Sequence, residues 1–200
     1  MMEMRTATAT STTRQNSASG ALAHQTGLAV AGSALVALSA HVSIPLLFTP
    51  VPLTTQNFAV ILLALLLEPA TAVAAMVLYL IEGASGLPVF TPAGPGGMLQ
   101  LFGATGGFLL SYPLVAACAS RIARMRPMSF SSRAAAGAIA SLVLYVSGAS
   151  WLALFSHLSL ATVVKMAVLP FVAGDALKVV AAAAIVVSLA SLRRRMLPAR

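Results

Sequence analysis

Acidic side chains are nearly missing from this chain: four Asp and Glu stand among 200 residues, against twelve Lys and Arg. With charged residues at 8% and hydrophobic ones at 59%, there is too little polar surface to coat a water-soluble globule of this length, and the bilayer is left as the natural solvent. Cysteine is limited to Cys118, which excludes an intramolecular disulfide; in its apolar run it reads as a small packing residue. His24, His41 and His157 are dispersed and show no metal-ligand spacing, so no metal site is expected. The net charge of +8 does not point to nucleic acid, because the arginines sit at segment ends without interleaved aromatic and polar groups. No G-x-x-x-x-G-K-[ST] loop occurs, so an ATP-driven cycle requires a separate subunit.

What the chain has in abundance is long apolar runs. Crossing about 30 Å of hydrocarbon at about 1.5 Å per residue takes a run of roughly 20 residues. The pattern predicts spans over residues 27–44, 55–67, 70–81, 98–120, 134–155 and 167–192, the second and third short and separated by Glu68 and Pro69. The expected architecture is an all-α integral membrane protein, a six-transmembrane-helix bundle whose Pro/Gly-rich outer loops cover a ligand cavity. Residues 1–24, rich in Ser, Thr and Ala, read as a disordered cytoplasmic tail, 25–195 as the six-helix membrane domain and 196–200 as a cytoplasmic C-terminal tail. The first apolar segment reads as an uncleaved first helix rather than a signal peptide. All ten arginines fall on one side of this arrangement, which by the positive-inside rule places both termini in the cytoplasm of a multi-pass protein of a bacterial inner membrane. A re-entrant hairpin in place of the two short spans would satisfy the arginines equally well.

The outer side then receives the connections 41–54, 82–97 and 156–165. The first two carry Pro45, Pro50, Pro52 and a run of Gly and Pro after Glu82, so neither continues a helix. Irregular backbone that is also apolar, with Phe48, Val89 and Phe90, reads as a lid over a cavity.

Inside the last span, Asp175 and Lys178 lie three apart and therefore on one helix face. Placing each in lipid costs about 2.5 kcal/mol or more, so such residues face the bundle interior and mark a substrate or ion path; the plainer alternative is an ion pair that only packs helices. A neutral head with both donor and acceptor, such as a urea-like group, would satisfy carboxylate and ammonium together, and so would an amide or a carboxylated ligand. Gln56 and Gln100 follow the two lids and are candidates to reach the cavity. Tyr79, Phe90, Trp151 and Phe171 are candidates for an apolar wall, with interfacial anchoring as the alternative. Glu82 reads as a helix-end residue near solvent. On the first span Ala29, Ser33 and Ala37 recur at intervals of four, a small-residue face read as a docking surface for a partner helix through Ser33 and Ala37, or as ordinary packing.

Four ordered stretches, IPLLFTPVPLTTQNFAVILLALLL, LYLIEGASGLPVF, GGMLQLFGATGGFLLSYPL and GDALK, resemble the BioY family, the biotin-specific S-components of energy-coupling factor transporters. The resemblance implies a six-helix membrane protein that binds biotin, works with a transmembrane T-component and two cytoplasmic ATPases, and is not an enzyme. It assigns Asp175 and Lys178 to the ureido ring of biotin, matches the Gly-Gly stretch to Gly96 and Gly97, and leaves Gln100 to supply a polar amide contact. The family's Gly-Pro-Thr-Gly-Gly-Tyr stands here as Gly103, Ala104, Thr105, Gly106, Gly107 and Phe108. An S-component for another vitamin, or a membrane-embedded enzyme using Asp175 and Lys178 as acid and base, are the alternative functions.

Overall fold

The structure, a computed structural model, describes residues 3–196, with side chains from residue 19 onward. Residues 1–2 and 197–200, and the side chains of 3–18, lie outside the described residues, and with them most of the expected C-terminal tail; the backbone of 3–24, expected as a disordered tail, is the first part of a helix that runs to His41. The chain runs α1 (Glu3–His41), a hairpin of β1 (Ser43–Ile44) and β2 (Leu53–Thr54), α2 (Gln56–Leu66), α3 (Pro69–Ala84), α4 (Gly97–Leu101), α5 (Gly106–Leu110), α6 (Tyr112–Met125), α7 (Phe130–Ser156), α8 (Leu160–Ala167) and α9 (Leu169–Met196). Four stretches are long and apolar enough to cross a membrane: Ser19–His41, Gly106–Met125, Phe130–Ser156 and Leu169–Met196. The short apolar helices α2 and α3 stand beside them. The fold is thus an all-α membrane bundle.

Two expected boundaries are corrected. The span expected over 98–120 is interrupted after Leu101, and its long apolar helix begins only at Gly106. The cause is local crowding: a Cβ on Gly106 would collide with the Leu101 carbonyl and one on Gly107 with the Trp151 side chain, so the backbone turns there where only glycine fits. The Trp151 indole donates to the Gly103 carbonyl at 2.9 Å and holds the break in place. In the third outer connection, residues expected to be loop form α8, started by the Ser159 hydroxyl accepting from the Thr162 N–H at 3.2 Å.

In lipid, helices associate through close packing rather than through expulsion of water, so small residues set the approach. Gly137 lies against Val179 and Ile61, and Gly32 against Ala75 and Leu63. One core is shared by α1, α2, α3, α6 and α7; a second, built from Ile61, Leu65, Ala123, Ala136, Val179, Ala182 and Val186, seats α9 on α2, α6 and α7.

The small-residue face of α1 belongs to this interior. Ser33 is fully buried and donates to the Glu82 carboxylate of α3, while Ala37 is half-buried against the core. The reading of Ser33 and Ala37 as an outward docking surface is corrected accordingly: the face is spent on α3. Glu82 is corrected with it, from a solvent-facing helix end to a half-buried group partnered by Ser33.

The two ends of the bundle differ. At one, Glu68 of the α2–α3 turn pairs with Arg124 at 2.6 Å, and the arginines of α6, α7 and α9 gather. At the other lie the hairpin, the Gly/Pro-rich segment and α8, and between these and the helices is the site.

Candidate ligand-binding site

A cavity of about 590 Å³ of empty space opens at the loop end, and seven helices and both lids contribute to its wall. Helix α9 brings Phe171, Asp175 and Lys178. Their spacing of four and three residues keeps them on one stripe, which the buried Val179 and Ala182 turn toward the interior. Asp175 is 6% exposed, and both of its carboxylate oxygens are engaged: Lys178 Nζ lies 2.7 Å from Oδ1, and the Tyr145 hydroxyl of α7 donates to Oδ2 at 2.6 Å. Each oxygen retains a further acceptor position, and the ammonium retains two donors. The carboxylate is therefore held rigid by a cation and a phenol while still able to receive N–H groups.

Opposite this pair stands the first turn of α2. Gln56 and Asn57 are both buried, and both line the cavity. Gln56 spends its Nε2 on the Tyr79 hydroxyl at 2.6 Å. Asn57 spends nothing: its Nδ2 and Oδ1 are buried without a hydrogen-bond partner. A buried amide left in this state costs about 1–3 kcal/mol for each unmet group, so a donor and an acceptor are waiting here for a complement.

Gln100 of α4 closes a third side. Its Oε1 accepts from the Gly96 N–H at 3.1 Å, a bond made possible by Gly96 at φ 72 and by Gly94, which packs directly on the amide. Its Nε2 makes no hydrogen bond among the described residues. Phe108, Leu109 and Leu144 give the cavity an apolar wall, Tyr112 a polar edge, and Val51, Pro52, Thr54 and Thr91 a roof from the two outer loops.

Of the residues singled out from sequence, Asp175, Lys178, Gln100 and Gln56 are brought together on one cavity, and Phe171 joins them. Tyr79 and Phe90 are corrected: they stand behind the wall. Phe90 folds over Gly83 and meets Tyr79 edge-on at 5.3 Å, while the Tyr79 hydroxyl donates to the Val89 carbonyl at 3.2 Å. They clamp the second lid to α2 and α3 instead of lining the cavity. The lid is corrected in part as well, since Phe48 is 58% exposed and Val51 and Pro52 do the covering. Asn57, Tyr112 and Tyr145 were missed. The signal for Asn57 was present, because it stands beside Gln56 in the first turn of an apolar helix, where a buried amide needs a hydrogen-bond partner.

Residues 7–195 match the sequence profile of the BioY family. The chain is 34% identical over 155 residues to a protein of Pyrococcus horikoshii described as a probable biotin transporter BioY, a match covering 78% of this chain and 88% of that one. It is 35% identical over 160 residues to the biotin transporter BioY of Thermotoga maritima, covering 80% and 92% respectively. Among solved structures it is similar to the crystal structure at 2.1 Å of the S-component for biotin from an ECF-type ABC transporter, with a TM-score of 0.77, 22% identity, and coverage of 86% of this chain and 93% of that one. At that identity the likeness carries the fold.

Proposed function

This chain belongs to the BioY family, and on that premise we propose that it is a membrane-embedded biotin-binding subunit of a vitamin transporter. The observation that carries the reading is the convergence of Asp175, Lys178 and the unpartnered Asn57 amide on one cavity. A bicyclic urea matches that set: its two N–H groups donate to the Asp175 carboxylate and the Asn57 Oδ1, and its carbonyl accepts from Lys178 or the Asn57 Nδ2. The sulfur ring and the aliphatic chain of biotin then lie on the apolar wall of Phe108, Leu144 and Phe171, beneath Val51 and Pro52 of the lid. Each member of the polar set finds its place as a donor or acceptor to the urea, which supports capture and release over turnover.

Energisation belongs to separate subunits in this reading, a T-component and two ATPases, since the chain carries no phosphate-binding loop of its own. The arginine-rich end faces the cytoplasm and the cavity opens outward, in a bacterial inner membrane with its lipid as the surrounding solvent. An equilibrium binding panel tests the ligand assignment. Biotin is expected to saturate one site on the purified protein, thiamine and riboflavin to fail to compete, and Lys178→Ala to weaken biotin by at least tenfold. Competition by an unrelated vitamin at equal concentration would remove the assignment.

A further inference from the structure

A second site lies at the opposite end of the bundle, and it follows from a mismatch in helix length. The 11 residues of α2 rise roughly 16 Å, whereas the 28 residues of α9 rise roughly 42 Å. Where the two run together, Val179, Ala182 and Val186 of α9 are buried on Ile61 and Leu65 of α2. The same stripe continues at helical spacing through Leu189, but α2 has ended at Leu66, and these two leucines are 48% and 41% exposed. The result is an open apolar notch, about 1030 Å³ with the space at its mouth included, lined by Leu65, Leu66, Met128, Val186 and Leu189.

Two cations stand at its mouth. Arg193 and Arg194 line the notch and follow Leu189 and Ala190 by one turn, so the guanidiniums rise above the apolar floor. Arg193 makes no hydrogen bond or ion pair among the described residues, and Arg194 makes only a 3.4 Å bond to the Ala190 carbonyl. Among the described residues the acidic side chain at this end, Glu68, is already committed to Arg124. An apolar notch on the bundle flank, ending in two guanidiniums without an acidic partner among the described residues, matches the charge and polarity of an acyl chain below and a phosphodiester above.

We propose that this notch binds an anionic phospholipid, with one acyl chain along Leu65, Val186 and Leu189 and the phosphate bridged by Arg193 and Arg194. Arginine suits this role because its planar fork meets phosphate oxygens in pairs. The bound chain completes the packing that α2 leaves unfinished beside α9. The proposal depends on the arginine end lying at the headgroups, which holds in either orientation of the bundle, and it is independent of the ligand bound at the other end.

The test uses the full chain reconstituted in nanodiscs of equal phosphatidylglycerol and phosphatidylcholine, transferred to mild detergent, with retained lipid counted by native mass spectrometry. Two charges near an anionic surface supply roughly a thirtyfold preference, so one phosphatidylglycerol is expected to be retained by the wild type. R193Q/R194Q removes that preference; R121Q/R126Q, which takes away the same charge elsewhere on this end, keeps it. L189W, which fills the floor and leaves both arginines, also loses the lipid. Helicity and gel-filtration profile confirm that each variant is folded. Equal retention of the two lipids by the wild type, or equal loss in both double variants, would overturn the proposal. So would displacement of the lipid by glycerol phosphate at equal concentration, which would reduce the site to a phosphate cradle. A wild-type dimer that retains no lipid and is dissociated by R193Q/R194Q would give the notch to a second copy instead.

Discussion

Replacing Asp175 by Asn leaves the shape of the side chain almost unchanged and removes its charge, which makes it the sharpest perturbation of the site. In the wild type the carboxylate holds Lys178 Nζ at 2.7 Å and receives the Tyr145 hydroxyl at 2.6 Å, with Asp175 6% exposed. The asparagine can still accept from one of these partners, and its Nδ2 now faces the other as a donor. A ligand N–H that met a carboxylate meets a neutral amide, and the charge-assisted bond, worth about 1.5–3 kcal/mol, falls to about 1. Lys178 loses its counter-ion in the ligand-free and the liganded protein alike, so that cost falls on stability and largely cancels from the affinity. The remaining loss of about 0.5–2 kcal/mol, at about 1.4 kcal/mol per decade, weakens biotin binding roughly tenfold. Isothermal titration of the purified protein in detergent reads this directly, with circular dichroism confirming that the bundle is folded. A change smaller than threefold in a folded variant would refute the role given to the carboxylate.

Asn57→Leu separates binding from stability: it removes a buried amide with no partner, so the ligand-free thermal midpoint should rise while biotin affinity falls at least tenfold. A lower midpoint with unchanged affinity would show that the amide is structurally satisfied and idle in recognition. Ser33→Leu forces a larger side chain into the fully buried α1–α3 contact and strands Glu82, costing about 1–3 kcal/mol from overpacking alone. The thermal midpoint should drop; an unaltered midpoint accompanied by loss of assembly with partner subunits would restore Ser33 to a docking surface. Gly148→Ala places a methyl where the Phe108 ring lies, pushing that ring into the cavity, so affinity should fall without any change at Asp175. Wild-type affinity in this variant would mean that Phe108 does not bound the ligand.

The chemistry of the site was largely legible because it is expensive in lipid. Asp175 and Lys178 stand out against apolar neighbours, and their spacing alone puts them on one face; Gln56 and Gln100 were candidates only from their places after the two lids, at the outer ends of spans. The arginine clusters likewise marked the ends of the long helices. Features made by distant partners were not legible. Ser33 and Glu82 are 49 residues apart and become a buried pair only when α1 packs on α3, so the small-residue face that looked available was already occupied. Tyr79 and Phe90 have the composition of a binding wall, yet one ring folds over Gly83 and the other spends its hydroxyl on Gln56 and Val89, which no local pattern announces. The break after Leu101 was hidden in an apolar run that reads as a single span; its cause is close approach to a carbonyl and to Trp151. Tyr145 was passed over because a phenol in an apolar helix gives no sign of its partner until α7 meets α9.

The measurement that bears most directly on the central claim is a titration of the purified wild-type protein with biotin beside its ring-opened diamine, which keeps the sulfur ring and the acid chain and lacks the urea. Saturable one-to-one binding of biotin, with the diamine weaker by at least two decades, is the expected result, since only the intact ring offers Asp175, Lys178 and Asn57 their complements. Equal binding of the two compounds, or no saturable binding of biotin by a folded protein, would contradict the account.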